Sequence, residues 1–172
     1  MTDRVERVKI SEFRVERAPL LLKIAGLGSC VALALYDPNL RVGGLAHILL
    51  PGPAPVADQK GPADGNISKY ADLAVPTLLS AMKHAGCSPR DLVAKIAGGS
   101  NMFQGPPGAE ADSPAKAGIG ERNVEAVKDH LHHLEVRLSG EDIGGNAGRT
   151  VVFDLGTGEL IITNLRGGKV VL

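Results

Sequence analysis

One cysteine and one histidine in this sequence have the types and spacing that covalent chemistry requires. Cys30 directly follows the pair Gly28-Ser29, and His47 lies later in the same largely apolar stretch. A thiol that hydrogen-bonds to an imidazole is an activated nucleophile, because the base removes the thiol proton and the imidazolium stabilises the thiolate. The pair therefore predicts a nucleophilic site with a thiol of lowered pKa, provided that the fold brings the two side chains together.

Two runs of β-forming residues surround the pair and would position it. Ser29–Tyr36 and Val42–Leu50 are rich in Val, Leu and Ala, and Asp37-Pro38-Asn39 lies between them. Proline fixes φ, and Asp and Asn bond to their own backbone, so these residues favour a turn. We expect two antiparallel strands, which place Cys30 beside the part of the second strand that contains His47.

Glycines before the cysteine predict a tight turn. Gly26 and Gly28 tolerate positive φ, and such a turn leaves backbone N–H groups near Ser29 pointing outward. N–H groups beside a nucleophile can form an oxyanion hole. Two glycines separated by one residue also occur in many turns that have no function, so this spacing alone is weak support.

The other candidate residues have ordinary structural interpretations. A lone buried cysteine is usually a small apolar residue, and a lone histidine in a strand is usually a core residue. Cys87, in a turn after a predicted helix, is interpreted as a surface thiol without a role in the chemistry. Three histidines at the end of a second helix could bind a metal ion, but the helix dipole also favours cations there, and we expect no metal. They are His130, His132 and His133.

The composition describes one globular domain and excludes several classes of protein. Of 172 residues, 44% are hydrophobic and 3% aromatic, so a single domain over 1–172 must build its core from Val, Leu, Ile and Ala. The 19 basic and 19 acidic residues argue against nucleic-acid binding through bulk charge. No apolar run approaches the roughly 20 residues of a membrane span. Two cysteines make no disulfide framework, so we expect a reducing, cytoplasmic location.

Hydrophobic periodicity predicts two helices among the strands. Ser68–Ala85 has most of its apolar residues on one face, contains Pro76 and ends before a glycine. Gly118–Leu134 has a regular apolar stripe. The remaining apolar runs predict strands at Val8–Arg14, Ala18–Ala25, Leu92–Ala97, Glu135–Ser139, Thr150–Asp154, Leu160–Thr163 and Lys169–Leu172.

Four motifs in order resemble the signature of the CheD family of chemoreceptor glutamine deamidases. The first contains Leu-Gly-Ser-Cys-Val, Tyr-Asp-Pro, Gly-Gly, and a His before Leu-Pro. The other three are Gly-Gly-Ser-Asn-Met, Ile-Gly-Glu-Arg-Asn-Val-Glu-Ala-Val and Gly-Gly-Asn-Ala-Gly-Arg. Their positions are Leu27–Val31, Tyr36–Pro38, Gly43-Gly44, His47 to Pro51, Gly98–Met102, Ile119–Val127 and Gly144–Arg149.

The resemblance implies a fold, an activity and partners. The fold would be α/β (α+β-like), with a central mixed or antiparallel sheet and the two main helices packed against it. The activity would be hydrolysis of glutamine side-chain amides on methyl-accepting chemoreceptors, with Cys30 as nucleophile, His47 as base and backbone near Gly28 and Ser29 holding the oxyanion. No cofactor would be needed. A CheC-type phosphatase would be a second partner.

Two positions leave alternatives open. The family commonly has a Thr that completes a Cys-His-Thr triad, and this sequence has Ile24 there. Isoleucine cannot orient an imidazole, so the chain is either an enzyme in which another group does so, or a degenerate member that serves as a binding module. Asn101, in a turn after two glycines, could face a substrate with its amide or merely bond to its own turn.

Overall fold

The computed structural model describes residues 4–59, 66–102 and 118–172, which form ten strands and two helices. The helices are α1 (Ala71–His84) and α2 (Ile119–His133). Within these ranges no helix is long and apolar enough to cross a membrane. The strands are β1 (Val5–Arg7), β2 (Phe13–Arg17), β3 (Leu21–Leu27), β4 (Val31–Asp37), β5 (Val42–Ile48), β6 (Val93–Gly98), β7 (Arg137–Ile143), β8 (Arg149–Asp154), β9 (Leu160–Asn164) and β10 (Lys169–Val171).

The strands form two mixed five-stranded sheets that, with the helices, make three layers. The first sheet has the order β2-β5-β4-β6-β7 and the second β1-β3-β8-β9-β10. Alternate residues of a strand point to opposite faces. Val31 and Leu33 of β4 therefore pack with both helices in a helix-side core, whereas Ala32 and Ala34 pack with β3 and β8 in an inter-sheet core.

Two adjacent glycines allow β5, a strand of the first sheet, to pack closely on the second sheet with one face and on α1 with the other. A Cβ on Gly43 would be 2.4 Å from a methyl group of Leu155, which follows β8. A Cβ on Gly44 would be 2.8 Å from a methyl group of Leu78 on α1. Any larger residue would push the layers apart, so the strand that contains His47 is held by close packing on both faces.

The predicted α+β class and the two helices are confirmed, and the turn between β4 and β5 has the predicted chemistry. Asp37 Oδ1 accepts hydrogen bonds from the N–H groups of Asn39, at 2.9 Å, and Leu40, at 3.0 Å. The strands divide into two sheets instead of one central sheet. The reason is that β3 pairs with β8, which lies far away in the sequence.

The strand predicted over Val8–Arg14 is wrong. β1 ends at Arg7 and pairs with β3, whereas β2 begins at Phe13 and pairs with β5 in the other sheet. The chain crosses between the sheets at this point, and Ser11 adopts a positive φ of 62° there. Alternating apolar residues could not reveal the crossing, because both segments are extended.

Candidate active site

The pairing of β4 with β5 brings Cys30 and His47 to one face of the first sheet. Ala32 lies directly opposite His47 in the register. Residues two apart in extended chain point to the same face, and Cys30 and Ala32 both belong to the inter-sheet core. Cys30 is therefore a diagonal neighbour of His47, a relation in which Cα atoms are about 7–8 Å apart. The register agrees with the juxtaposition that the sequence predicted.

Burial favours the neutral form of both groups. Cys30 is 9% exposed and His47 is 2% exposed. Burial raises the pKa of the Cys30 thiol, while the backbone N–H of Cys30 acts more weakly in the opposite direction. Burial likewise lowers the pKa of the His47 imidazole, against a smaller effect of the Val8 backbone. Both pKa shifts favour an uncharged thiol beside an uncharged imidazole.

This protonation state differs from the thiol of lowered pKa that the sequence predicted. The prediction assumed a hydrogen bond between the two side chains, but neither ring nitrogen of His47 has a hydrogen-bonding partner within the described ranges. Val8 is near enough to affect the imidazole, although the contact lacks the geometry of a full hydrogen bond. With no partner to stabilise an imidazolium, desolvation decides both pKa values.

The hydrogen bonds that other described residues make to the turn at Cys30 all go to its carbonyl groups. Three consecutive carbonyl oxygens accept hydrogen bonds from other parts of the chain. No other described residue accepts a hydrogen bond from the N–H groups of Ser29 or Cys30, and the Cys30 N–H interacts only with its own thiol, so both donors remain available for an oxyanion. The three donors are Ser100 N–H to Gly28 O (2.9 Å), Asn123 Nδ2 to Ser29 O (2.9 Å) and Gly99 N–H to Cys30 O (2.8 Å).

The glycines at the end of β6 allow this close contact with the nucleophile turn. Gly98 has a φ of +114°, and a Cβ there would lie 2.2 Å from the carbonyl oxygen of Cys30. Gly99 has a φ of +65°, and its Cβ would lie 2.3 Å from Val124 on α2. A side chain at either position would displace the turn or the helix. These two glycines of the second motif thus support the site by backbone packing.

Asn123 on α2 is a site residue that sequence reasoning missed. Its side chain is fully buried, and Nδ2 donates both to Ser29 O and to Leu49 O, at 2.9 and 3.0 Å. The sequence does contain a signal for it. Asn123 precedes Val127 by one helical turn and so shares the apolar stripe, where an amide is unexpected.

Ile24 lies in the inter-sheet core, the layer into which His47 points. It is fully buried on β3, opposite Val151 of β8. An apolar side chain at this position offers the imidazole no hydrogen bond. The lack of a described hydrogen-bonding partner for the His47 ring nitrogens is consistent with the absence of a threonine hydroxyl at position 24.

Asn101 and His47 line different cavities. It is exposed, its N–H donates to Gly145 O at 2.8 Å, and its side chain lies against Gly118 at the start of α2. It borders a cleft of about 460 Å³, between α2 and the end of β7, that also contains Glu121 and Lys128. A role for Asn101 in substrate binding stays a prediction.

Cys87 is buried, so its interpretation as a surface thiol is wrong. Its side chain belongs to the helix-side core and donates a hydrogen bond to Asp37. Burial and the Asp37 carboxylate raise the pKa of Cys87 to about 11. Both cysteines are free. They lie on opposite faces of the first sheet, so a bridge between them would require the sheet to open.

The histidines at the end of α2 show no arrangement suited to a metal. Within the described ranges, no three His, Cys, Asp or Glu side chains are close enough to share an ion. His133 Nδ1 instead contacts the carbonyl oxygen of Asp129 at 2.7 Å, one turn earlier. This contact is local to the helix end, where the dipole favours positive charge.

A cavity of about 380 Å³ reaches His47 from the protein surface. Its wall includes Val8, Ile10 and Ala25, so the floor around the imidazole is partly apolar. Three cationic side chains also line it, from β1, β3 and the segment between β1 and β2. They are Arg7, Lys9 and Lys23. The positive wall favours an anionic surface on any molecule that approaches His47.

Comparison with known proteins identifies close relatives along almost the whole chain. Residues 49–164 match the family model described as CheD chemotactic sensory transduction. That match begins just after His47, so it does not include the cysteine-histidine pair. The relatives below align over more than nine-tenths of this chain and therefore do include it.

Three of these relatives illustrate the similarity. A probable chemoreceptor glutamine deamidase CheD of Archaeoglobus fulgidus is 41% identical over 162 residues, covering 94% of each chain. The probable deamidase CheD 2 of Geobacter metallireducens is 42% identical over 159 residues, which is 92% of this chain and 93% of the relative. The chemoreceptor glutamine deamidase CheD of Thermotoga maritima is 40% identical over 162 residues, covering 94% and 93%.

Proposed function

Because this chain belongs to the CheD family, we propose that it is a chemotaxis enzyme that hydrolyses glutamine side-chain amides of chemoreceptors to glutamate. The observation that supports this most strongly is the register of β4 and β5, which places Cys30 and His47 on one buried face. The available N–H groups of Ser29 and Cys30 add the donors that amide hydrolysis requires. In this proposal, Cys30, His47 and the C–N bond of the glutamine side chain that they cleave meet at one site.

The first half-reaction forms a thioester. Cys30 Sγ attacks the carboxamide carbon of the substrate while its proton passes to His47, which is neutral and able to accept it. The carbonyl oxygen becomes an oxyanion, which the N–H groups of Ser29 and Cys30 bind. The imidazolium then donates the proton to the nitrogen as the C–N bond breaks, and ammonia leaves.

The second half-reaction releases the product. His47 removes a proton from a water molecule, whose oxygen attacks the thioester carbon. The same N–H groups bind the second oxyanion. The C–S bond breaks, the thiol regains its proton from His47, and the substrate leaves as glutamate. Because burial disfavours the charged form of both groups, the proposed mechanism forms the thiolate as its proton passes to His47 during the attack.

The cationic wall of the cavity at His47 supports an acidic substrate surface. Arg7, Lys9 and Lys23 lie where a receptor helix would approach the imidazole. Each turnover adds one negative charge to that helix, and like charges at helical spacing repel. The reaction would therefore change the packing of the receptor and, with it, the signal.

Mass spectrometry of a receptor fragment incubated with the protein tests this function directly. The expected result is the mass gain of amide-to-acid conversion at particular glutamines, together with ammonia release. Binding of the fragment without any conversion would contradict the enzymatic proposal and favour the binding module. Heat-denatured protein is the control for spontaneous deamidation.

The dependence of kcat/KM on pH should show whether Cys30 and His47 are both uncharged in the resting enzyme. Burial lowers the pKa of His47 below its ordinary value of 6.5, so the neutral base persists as the pH falls through 6.5. We expect the midpoint of the acid limb to lie below 6.5. We also expect no basic limb before the thiol titrates, because burial raises the pKa of Cys30. A rate that falls between pH 7 and 9.0, the ordinary thiol value, would indicate a thiolate-imidazolium pair instead.

The variant Ile24→Thr should be faster than the parent. A hydroxyl in the inter-sheet core could accept a hydrogen bond from His47, and positioning a general base typically changes rates by about tenfold or more. The change should lower the free energy of unfolding by about 1–3 kcal/mol, because a hydroxyl replaces apolar contacts. Initial rates of ammonia release and a denaturation curve measure the two effects.

Ile24→Val is the matched control, since it shortens the side chain without adding a hydroxyl. It should lose some stability and gain no rate. If Ile24→Thr is no faster than Ile24→Val, then a backbone group such as that of Val8 already orients the imidazole.

Two further features belong to the proposal. Association with a CheC-type phosphatase, which the resemblance implies, stays a prediction, and substitution of the exposed apolar residues near the β9–β10 edge would test it. Leu165 there is 80% exposed and Val171 is 47% exposed. We also propose a cytoplasmic location, where reducing conditions preserve the free thiol of Cys30.

A further inference from the structure

We propose that Asn123 is a positioning residue that aims the N–H group of Cys30 at the oxyanion. This inference rests on the proposed deamidase function. The Asn123 side chain is fully buried, and its Nδ2 donates to Ser29 O at 2.9 Å. Ser29 supplies the carbonyl of the peptide unit whose N–H belongs to Cys30. The amide of Asn123 is therefore bonded to the peptide that would stabilise the transition state.

Because a peptide unit is planar, the bond that fixes the Ser29 carbonyl also fixes the direction of the Cys30 N–H. In a trans peptide the C=O and N–H groups lie in one plane and point in opposite directions. Asn123 lies on α2, so its bond turns the Ser29 carbonyl toward the helices. The N–H of Cys30 must then point toward the inter-sheet core, where the Cys30 side chain lies. The effect of this N–H on the thiol agrees with that orientation.

Asn123 is the only side chain among the three donors that hold the nucleophile turn. The carbonyl groups of Gly28 and Cys30 are bound by backbone N–H groups, which only a substitution to proline would remove. The Ser29 carbonyl is bound by an amide that substitution can delete. The same amide also donates to Leu49 O at 3.0 Å, directly after the strand that contains His47. It thus connects the nucleophile turn with the strand of the base.

The close approach of α2 makes these bonds possible. Gly120 lies one turn before Asn123, and a Cβ there would be 2.5 Å from the carbonyl oxygen of Gly99. Without that side chain, the first turn of the helix packs directly on the segment that binds Cys30. The amide then reaches Ser29 at hydrogen-bonding distance.

The cost of burying Asn123 also argues for a specific role. Its Oδ1 atom is buried without a hydrogen-bonding partner in the described part of the chain. An unsatisfied buried acceptor destabilises the folded state, and such groups in native proteins require an explanation. Positioning of a catalytic peptide unit supplies one.

Asn123→Leu tests the proposal, because leucine has the same branched shape and number of side-chain heavy atoms but no donor. We expect kcat for deamidation of a receptor fragment to fall by about 10- to 100-fold, since small misplacements of catalytic groups cost up to about that factor. KM should remain close to that of the parent. The rate at which iodoacetamide alkylates Cys30, measured in a Cys87→Ser background, should fall far less than kcat, because displacement of iodide forms no oxyanion.

Val127→Ala is the matched control, one turn further along the buried face of α2. It removes apolar packing without touching the turn, so kcat should be unchanged. An unchanged kcat in Asn123→Leu would overturn the proposal. Equal losses of deamidation and alkylation would also overturn it, because they would indicate a general collapse of the turn. Failure of the parent itself to deamidate would instead refute the proposed function.

Hydrogen exchange in the parent protein tests the contacts independently of any variant. Both side-chain amide protons of Asn123 should exchange slowly in an NMR experiment on ¹⁵N-labelled protein, since the side chain is fully buried and its Nδ2 donates to two backbone carbonyls. Fast exchange of these protons would overturn the proposal even if Asn123→Leu failed to fold.

Discussion

Cys30→Ala is expected to reduce deamidation by about 10⁴-fold or more, because the proposed mechanism has no other group that attacks the amide carbon. The fold should survive, since alanine fits the space of a small buried side chain, and the free energy of unfolding should change by about 1 kcal/mol. Mass spectrometry of a receptor fragment measures the activity. Thermal unfolding measures the stability of the same preparation.

Cys87→Ser is the matched control for this variant. Cys87 is also buried, but it lies on the helix-side face of the sheet and bonds to Asp37. Serine can donate the same hydrogen bond, so full activity is expected. A loss in Cys87→Ser comparable to that in Cys30→Ala would show that the nucleophile is mis-assigned.

His47→Leu should lower the rate by about 10²–10⁴-fold, the usual contribution of a general acid-base group. It should nevertheless leave the protein as stable as the parent or make it more stable. Among the described residues, neither buried ring nitrogen of His47 has a hydrogen-bonding partner, and each such group costs about 1–3 kcal/mol. Leucine fills similar space and removes that cost.

Opposite changes in activity and stability would identify His47 as a functional residue. Rates of ammonia release and denaturation midpoints, measured on the same preparations, provide the comparison. His47→Gln is the control, because it keeps a polar side chain and removes only the base. A large loss of stability in His47→Leu, or retained activity in either variant, would indicate that His47 has a structural role in the core and not a catalytic one.

The sequence by itself was sufficient to predict the hairpin that brings Cys30 and His47 to one face. The strand signals, the turn at Asp37 and the alternation of side chains are all local, and together they determine which residues share a face. The same holds for α2, whose apolar stripe predicts its buried side. These features depend on residues close together in the chain, so a pattern of types and spacings is enough to predict them.

Only the tertiary structure decided the surroundings of the pair. It placed Asn123 against Ser29 and buried Cys87 beside Asp37. It also brought β3 and β8 together as a second sheet that covers His47. That cover desolvates the imidazole and the thiol, and it reverses the direction expected for the pKa of Cys30. Contacts of this kind form between segments far apart in the chain, where no local pattern records which side chains will meet or how much water they will lose.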